Sequence, residues 1–186
     1  MQGLVAIGRE GLAGDQQADR VHHGGPDMAI HYYPRDHYGY WRDFLGDHAL
    51  LDGPGALGEN VASLGLVETA ACIGDRYRLG TALVEISQGR KPCWKIDHRF
   101  GHKGMSAEVV RTGRAGWYFR VIEDGAVQAG DALQLLDRPH PEWSVARVFA
   151  LIVAGAHKDD PGSLRDLAGL APLSQDWRRR AALLAA

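Results

Sequence analysis

The chain has few cysteines, no long apolar run and no excess of either charge. Two cysteines, Cys72 and Cys93, lie far apart and outside any CxxC pair, so neither a disulfide framework nor a four-ligand zinc module is supported, and a reducing compartment is expected. Lys and Arg number 21 against 23 Asp and Glu, a net charge of -2, without the basic excess of a nucleic-acid coat or a polybasic membrane binder. The longest apolar stretch, Val148 to Ala156, is interrupted by Gly155 and falls short of the roughly 20 residues a membrane span needs. Met1 to Glu10 carry neither a basic segment nor an apolar stretch of leader type. These absences predict a cytoplasmic protein with no nucleic-acid or membrane partner. No GxGxxG after a strand, GxxxxGK[ST] loop, HExxH or GxSxG elbow occurs either, which sets aside the nucleotide, zincin and serine-hydrolase readings.

What is present divides near Pro139-His140-Pro141 into residues 1–140 and 141–186. In the first part glycines alternate with short apolar runs. Large residues recur at every second position in Arg76 to Leu79, Val84 to Ser87 and Trp117 to Val121, the period of a half-buried strand. Asp124-Gly125 reads as a hairpin turn. Many short strands with such turns favour a barrel or sandwich. Helices interrupt them: Pro34 suits a first turn followed by Tyr38, Trp41 and Leu45 and closed by Gly46, and Ser106 to Thr112 ends at Gly113. After the prolines the period becomes helical. Ser144 starts a helix bearing Val145, Val148, Phe149 and Ile152, Asp160-Pro161 opens a second, and Ser174 caps a third. Three short helices in under about 50 residues bury too little surface to stand alone and should pack on the barrel or a partner.

The segment Gln88 to Arg99 has the most unusual composition. Cys93 lies among Arg90, Lys91, Lys95 and Arg99 with Asp97 the lone acid, and neighbouring cations favour thiolate over thiol. Pro92 keeps the preceding residue extended, placing the thiol where a strand ends and the chain turns. Two readings stand: a functional thiol, or a small buried cysteine in a basic loop. Cys72, after Thr69-Ala70-Ala71, reads as packing. A second candidate is His22-His23-Gly24-Gly25-Pro26-Asp27, whose paired glycines let successive N–H groups converge on an anion. Adjacent histidines chelate one metal poorly, so at most one faces a site; the alternative is a loop histidine capping a turn. Gly58-Glu59-Asn60 is a third polar cluster that also suits a plain turn.

Taken in order, Gly11 to Asp15, Ala18 to Arg20, His23 to Asp27, Tyr33 to Tyr38, Gly58 to Asn60 and Gln88 to Arg99 resemble the MOSC domain family, named from the C-terminal domain of molybdenum cofactor sulfurase. Gly113 to Val121, Val127 to Asp131 and Arg138 to Val145 narrow the resemblance to its YiiM-like branch. The resemblance implies a mainly β, MOSC-type barrel with short inserted helices, followed by a three-helix C-terminal extension. Relatives carry a further strand-forming segment before the motif that begins here at Gly11, so either the start is shortened or another element closes the barrel. The resemblance also implies that the pocket takes the molybdenum cofactor (molybdopterin), with Cys93 as metal ligand or sulfur carrier. Arg90, Lys91, Lys95 and the Gly24-Gly25 backbone then hold its phosphate, and His23 and Asn60 hydrogen-bond the pterin or an oxo group. A soft thiolate is a suitable further ligand for molybdenum held by a dithiolene. The implied activity is reduction of small N-hydroxylated compounds, such as hydroxylamino base analogues, in detoxification. No flavin, haem or iron–sulfur motif is present, so electrons are expected from a separate flavoprotein, with the C-terminal helices as its docking surface. A homodimer is compatible with this reading. The competing functions are a non-catalytic cofactor or sulfur carrier using Cys93, and a barrel-type ligand-binding module in which the thiol is incidental.

Overall fold

The computed structural model describes residues 3–15 and 24–186. Its centre is a six-stranded sheet curled into a half-barrel. The strands are β3 (Ile30–Pro34), β4 (Val61–Ser63), β5 (Arg76–Leu79), β6 (Ala82–Gly89), β7 (Trp117–Glu123) and β9 (Leu133–Asp137), in the order β4-β3-β7-β6-β5-β9. A smaller sheet, order β2-β1-β8, joins β1 (Val5–Gly8), β2 (Gly11–Leu12) and β8 (Gly125–Val127). All pairings are antiparallel except β3 with β4. The β-branched and aromatic residues that set the sequence period form the inner lining, where Tyr32 stacks on Trp117 at 4.2 Å and Phe119 meets both Trp117 and Tyr77 edge-on. The alternation fails in β3, all five of whose residues are buried, as in a strand covered on both faces. It also fails in β6, where Glu85 is 6% exposed because Arg76 and Arg120 pair with its two oxygens.

Two local expectations are corrected. Pro34 ends β3, pairing with Ser63; a 3-10 turn over Arg35–His37 separates it from α1 (Tyr38–Leu45), which Gly46 closes with φ 74°. Asp124-Gly125 does not fold β8 back on β7. The chain crosses to the small sheet, where β8 pairs with β1, and a side chain at Gly125 would come within 2.4 Å of the Ala82 backbone nitrogen. The segment before Gly11 does supply a strand, Val5–Gly8. The outer strands β4 and β9 both border a cleft of about 690 Å³ that Val5, Leu79 and Val127 also line.

The helices expected after Pro141 are α4 (Val145–Ile152), α5 (Pro161–Gly169) and α6 (Gln175–Leu184). Each begins where a side-chain oxygen accepts a backbone N–H: Ser144 from Arg147, Asp160 from Ser163, Ser174 from Trp177. They pack on the large sheet, and their buried side chains are continuous with its core. A methyl at Gly89 would meet Trp177 at 3.0 Å, so the helices lie directly on the end of β6. Among the described residues, no helix is long and apolar enough to cross a membrane.

Candidate functional site

β6 delivers the cysteine segment. The Arg90 N–H donates to the Gly116 carbonyl (3.0 Å), extending the β6–β7 pairing by one step beyond Gly89. Gly116 has φ 68°, and a Cβ there would lie 2.4 Å from the Tyr32 carbonyl, so only glycine lets the three strands approach at this point. Three residues on, Cys93 stands at the N-cap of α2 (Trp94–Phe100), with extended backbone and no capping bond from its side chain. Cys93 thus stands beyond the end of β6, at the start of a helix that its sequence did not lead one to expect. Its signals were Ile96 and Phe100, four apart and buried, and Gly101 in the left-handed region at the C-cap.

The second wall comes from α3 (Met105–Thr112). Pro92, Cys93 and Trp94 on one side and Ser106, Ala107 and Val110 on the other border a shallow, solvent-open hollow of about 340 Å³. Asp97 clamps the walls together, its carboxylate accepting the Ser106 N–H (2.6 Å) and the Gly104 N–H (3.3 Å). Those two amides hold its carboxyl below the usual carboxylate range. The lone acid of the basic segment is therefore a structural clamp, a role composition alone did not reveal. Arg99 is also structural, donating to the Ala56 and Gly55 carbonyls (2.7 and 2.8 Å).

The remaining candidates distribute as follows. Cys93 is half-buried, and among the described residues its sulfur makes no hydrogen bond. Lys91 and Lys95 are exposed beside it. Arg90 is half-buried with Nη1 sealed and without a hydrogen-bond partner among the described residues. Asn60 does not line the hollow. Its Oδ1 accepts the His31 N–H, its own N–H donates to the His31 carbonyl (both 2.8 Å), and its Nδ2 donates to Asp15. His31, not singled out in the sequence, bonds Asn60 through its backbone, and its ring feels the Arg90 charge. Burial first, then the Arg90 charge, lowers its pKa to about 3, the Gly58 and Ala115 carbonyls offsetting this only in part. Gly24 and Gly25 precede a 3-10 turn over Pro26–Met28, and Gly25 has φ 96°. That turn is fixed to the large sheet by Asp27, which pairs with Arg120 (2.8 Å) and whose carbonyl accepts the Ser87 hydroxyl (2.5 Å). The glycine pair thus lies near β6, a few residues before Arg90. His23 lies outside the described residues.

The donor set suits a metal that brings most of its own ligands. Among the described residues no three His, Cys, Asp or Glu side chains gather as a metal cluster, so a closed protein-built site is not formed there. One soft, partly exposed sulfur with an unpartnered buried guanidinium nitrogen three residues away, within about 11 Å along the chain, fits a thiolate-accepting metal carried on an anionic organic ligand.

Residues 19–134 match the MOSC domain family. The chain is 42% identical over 174 residues to the uncharacterized protein YflK of Bacillus subtilis, covering 94% of this chain and 76% of that one. It is 37% identical over 180 residues to YiiM of Escherichia coli, covering 96% and 79%. A Gibberella moniliformis protein named a reductase is 40% identical over 153 residues, which are 82% of this chain and 27% of that protein. The crystal structure of YiiM from Geobacillus stearothermophilus superposes with a TM-score of 0.86 at 32% identity, covering 100% of this chain and 86% of that one.

Proposed function

Because the chain belongs to the MOSC domain family, close to YiiM, we propose that it is a molybdenum-cofactor-dependent reductase of N-hydroxylated compounds, hydroxylamino base analogues among them, with Cys93 as the metal's protein ligand. The observation that carries this reading is the half-buried Cys93 sulfur, free of hydrogen bonds among the described residues and bordering a solvent-open hollow. Such a sulfur is available to a soft metal, whereas a thiol sealed in hydrocarbon is not. A Gibberella protein named a reductase, 27% of which this chain matches, supports the reaction class.

When bound, the cofactor would supply the two electrons for reduction of R–NHOH to R–NH2 and water, with two protons taken up. The chain's own residues do the rest. Cys93 anchors the metal. Arg90, Lys91 and Lys95, with the backbone near Gly24 and Gly25, hold the pterin phosphate. The Asp97 clamp keeps α3 against α2, so the wall of Ser106, Ala107 and Val110 keeps its distance from the sulfur. Electrons come from a separate flavoprotein, in the cytoplasm.

Elemental analysis of protein purified from cells that make the cofactor tests this. Near-stoichiometric molybdenum is expected in the native protein and in Cys72→Ser, and its loss in Cys93→Ser; molybdenum retained by Cys93→Ser overturns the ligand assignment. Turnover of a hydroxylamino base with a chemical reductant establishes the reductase. Cyanide-labile sulfur on Cys93 without turnover identifies a carrier instead.

A further inference from the structure

On its way to the cysteine segment, β6 carries one residue more than the strand it pairs with. Ile86 stands opposite Phe119 and Gln88 opposite Tyr118, so Ser87 is the extra residue of a bulge. An inserted residue shifts the register of all that follow by one. Gly89 therefore stands opposite Trp117, and the next step brings Arg90 to the Gly116 carbonyl, where Gly89 would stand without the bulge. Ser87 is fully buried, and its polar atoms reach outside the strand pair. Its hydroxyl donates to the Asp27 carbonyl at 2.5 Å, with the Tyr118 carbonyl 3.0 Å away. Its carbonyl accepts the N–H of Ser174, the N-cap of α6, at 2.9 Å. Three elements thus meet at one residue: the turn after Gly24-Gly25, the strand that leads to Cys93, and the helical extension.

We infer that the Ser87 bulge positions the anion-holding groups of the Cys93 site, setting the register of Arg90 and tethering the Gly24-Gly25 turn to the same strand; this rests on the cofactor reading above. Arg90 has its Nη1 sealed and without a partner among the described residues, so its place is set through the backbone bond to Gly116 and hence by the register. The turn has two tethers. One is the Ser87 hydroxyl on the Asp27 carbonyl; the other is the Asp27 side chain on Arg120 (2.8 Å), which in turn pairs with Glu85 of β6 (3.0 Å). Both tethers lead to β6, so the turn and Arg90 keep a fixed relation to each other. The helical extension acts on the same point, because α6 holds the Ser87 carbonyl through Ser174 and lies against Gly89 through Trp177. Ser87, being buried, acts through Arg90 and the turn and is a positioning residue.

The test uses the full chain purified from cells that do not make the cofactor, with inorganic phosphate as the probe. Phosphorus NMR reads phosphate binding, and hydrogen exchange of the Met28 amide, which donates to the Gly25 carbonyl (2.9 Å), reads how firmly the turn is held. Ser87→Ala should speed Met28 exchange about tenfold, the scale of one lost buried hydrogen bond, and weaken phosphate binding at least about threefold. Amides of α5 should keep their native exchange rates, and Ser87→Thr, which retains the hydroxyl, should recover most of both losses. Asp27→Ala cuts the other tether at a partly exposed residue and keeps the inference testable should Ser87→Ala not fold. It also removes a negative charge, which alone would strengthen anion binding, so weaker phosphate binding by this variant reports lost positioning. Phosphate affinity unchanged in Ser87→Ala or raised in Asp27→Ala overturns the inference, as does a native protein that binds no phosphate. Faster exchange spread equally over the whole chain also overturns it, because Ser87 then serves general stability alone. Molybdenum content after expression with the cofactor separates this inference from the reading it rests on. Native protein that lacks molybdenum yet binds phosphate in a Ser87-dependent way refutes the cofactor reading and leaves the role of the bulge standing. Molybdenum held through Cys93 with phosphate binding indifferent to Ser87 does the reverse.

Discussion

The two cysteines of this chain occupy surroundings built in opposite ways. Cys72 is 3% exposed at the joint between the half-barrel and the helical extension. Its backbone N–H donates to Asp75, its sulfur lies 3.6 Å from the Pro141 carbonyl, and it forms an isolated bridge with Ser144. Asp75, itself fully buried, binds Arg138 at 2.7 Å and the Tyr77 hydroxyl at 3.2 Å. Burial first, and then the Asp75 charge, raise the Cys72 thiol's pKa. Around Cys93 the hydrogen bonds instead fasten the walls, through Asp97 and Arg99, and leave the sulfur itself unengaged among the described residues. Both regions are well bonded; only in one do the bonds end on the cysteine's own surroundings and close it off.

The largest expected difference is in reactivity. At neutral pH an alkylating reagent should modify Cys93 at least about a hundredfold faster than Cys72, because a buried thiol reacts only after local opening. Peptide mapping after timed labelling checks this, and equal rates would erase the contrast. In stability the order reverses. Asp75→Ala leaves Arg138, Tyr77 and the Cys72 N–H without their acceptor and should cost about 3 kcal/mol in urea unfolding, with the Cys93 labelling rate in the native state unchanged.

How legible each region was follows from the range of the interactions that build it. The strands at Arg76 and Trp117 and the three C-terminal helices carry their periods and caps within a few residues, and the sequence shows them. Cys93 was likewise conspicuous from its local charge. The hollow was not, because its second wall arrives from α3 and is fixed by Asp97 reaching nine residues along the chain to Ser106. β8 was misplaced for the same reason: its partner β1 lies about 120 residues away in sequence, whereas a turn signal at Asp124-Gly125 speaks only for neighbours. His31 gave no sign of its role, since that depends on burial and on Arg90.

Burial of His31 makes the stability of the fold depend on pH. It is 4% exposed, hydrogen-bonded to Gly58, and holds a pKa of about 3 against an ordinary 6.5. Between those values the unfolded chain binds a proton that the folded chain refuses, so stability falls as pH drops below about 6.5 and the loss grows until about pH 3. One proton corresponds to about 1.4 kcal/mol per pH unit, hence about 2 kcal/mol at pH 5. His31→Gln should flatten this slope by about one proton in urea titrations from pH 4 to 7. An undiminished slope would show that His31 is not the group responsible. Asp75→Ala should leave the slope from His31 in place.

The smallest effect should come from the clamp between the walls of the hollow, and it bears most directly on the contrast between the cysteines. Gly104, at the start of α3, has no side chain to cap it, so Asp97 from the preceding helix accepts the Gly104 and Ser106 amides in its place. Asp97→Ala removes a cap supplied from a distance and should cost about 1 kcal/mol. If the hydrogen bonds near Cys93 act by positioning α3, this small loss should change the Cys93 alkylation rate severalfold while leaving Cys72 protected. Asp97→Asn, which keeps an acceptor oxygen, should restore most of both quantities. A stability loss without any change at Cys93 would mean that α3 holds its place through the buried Met105 and Val109 alone, and that the hollow is shaped by packing and not by the clamp.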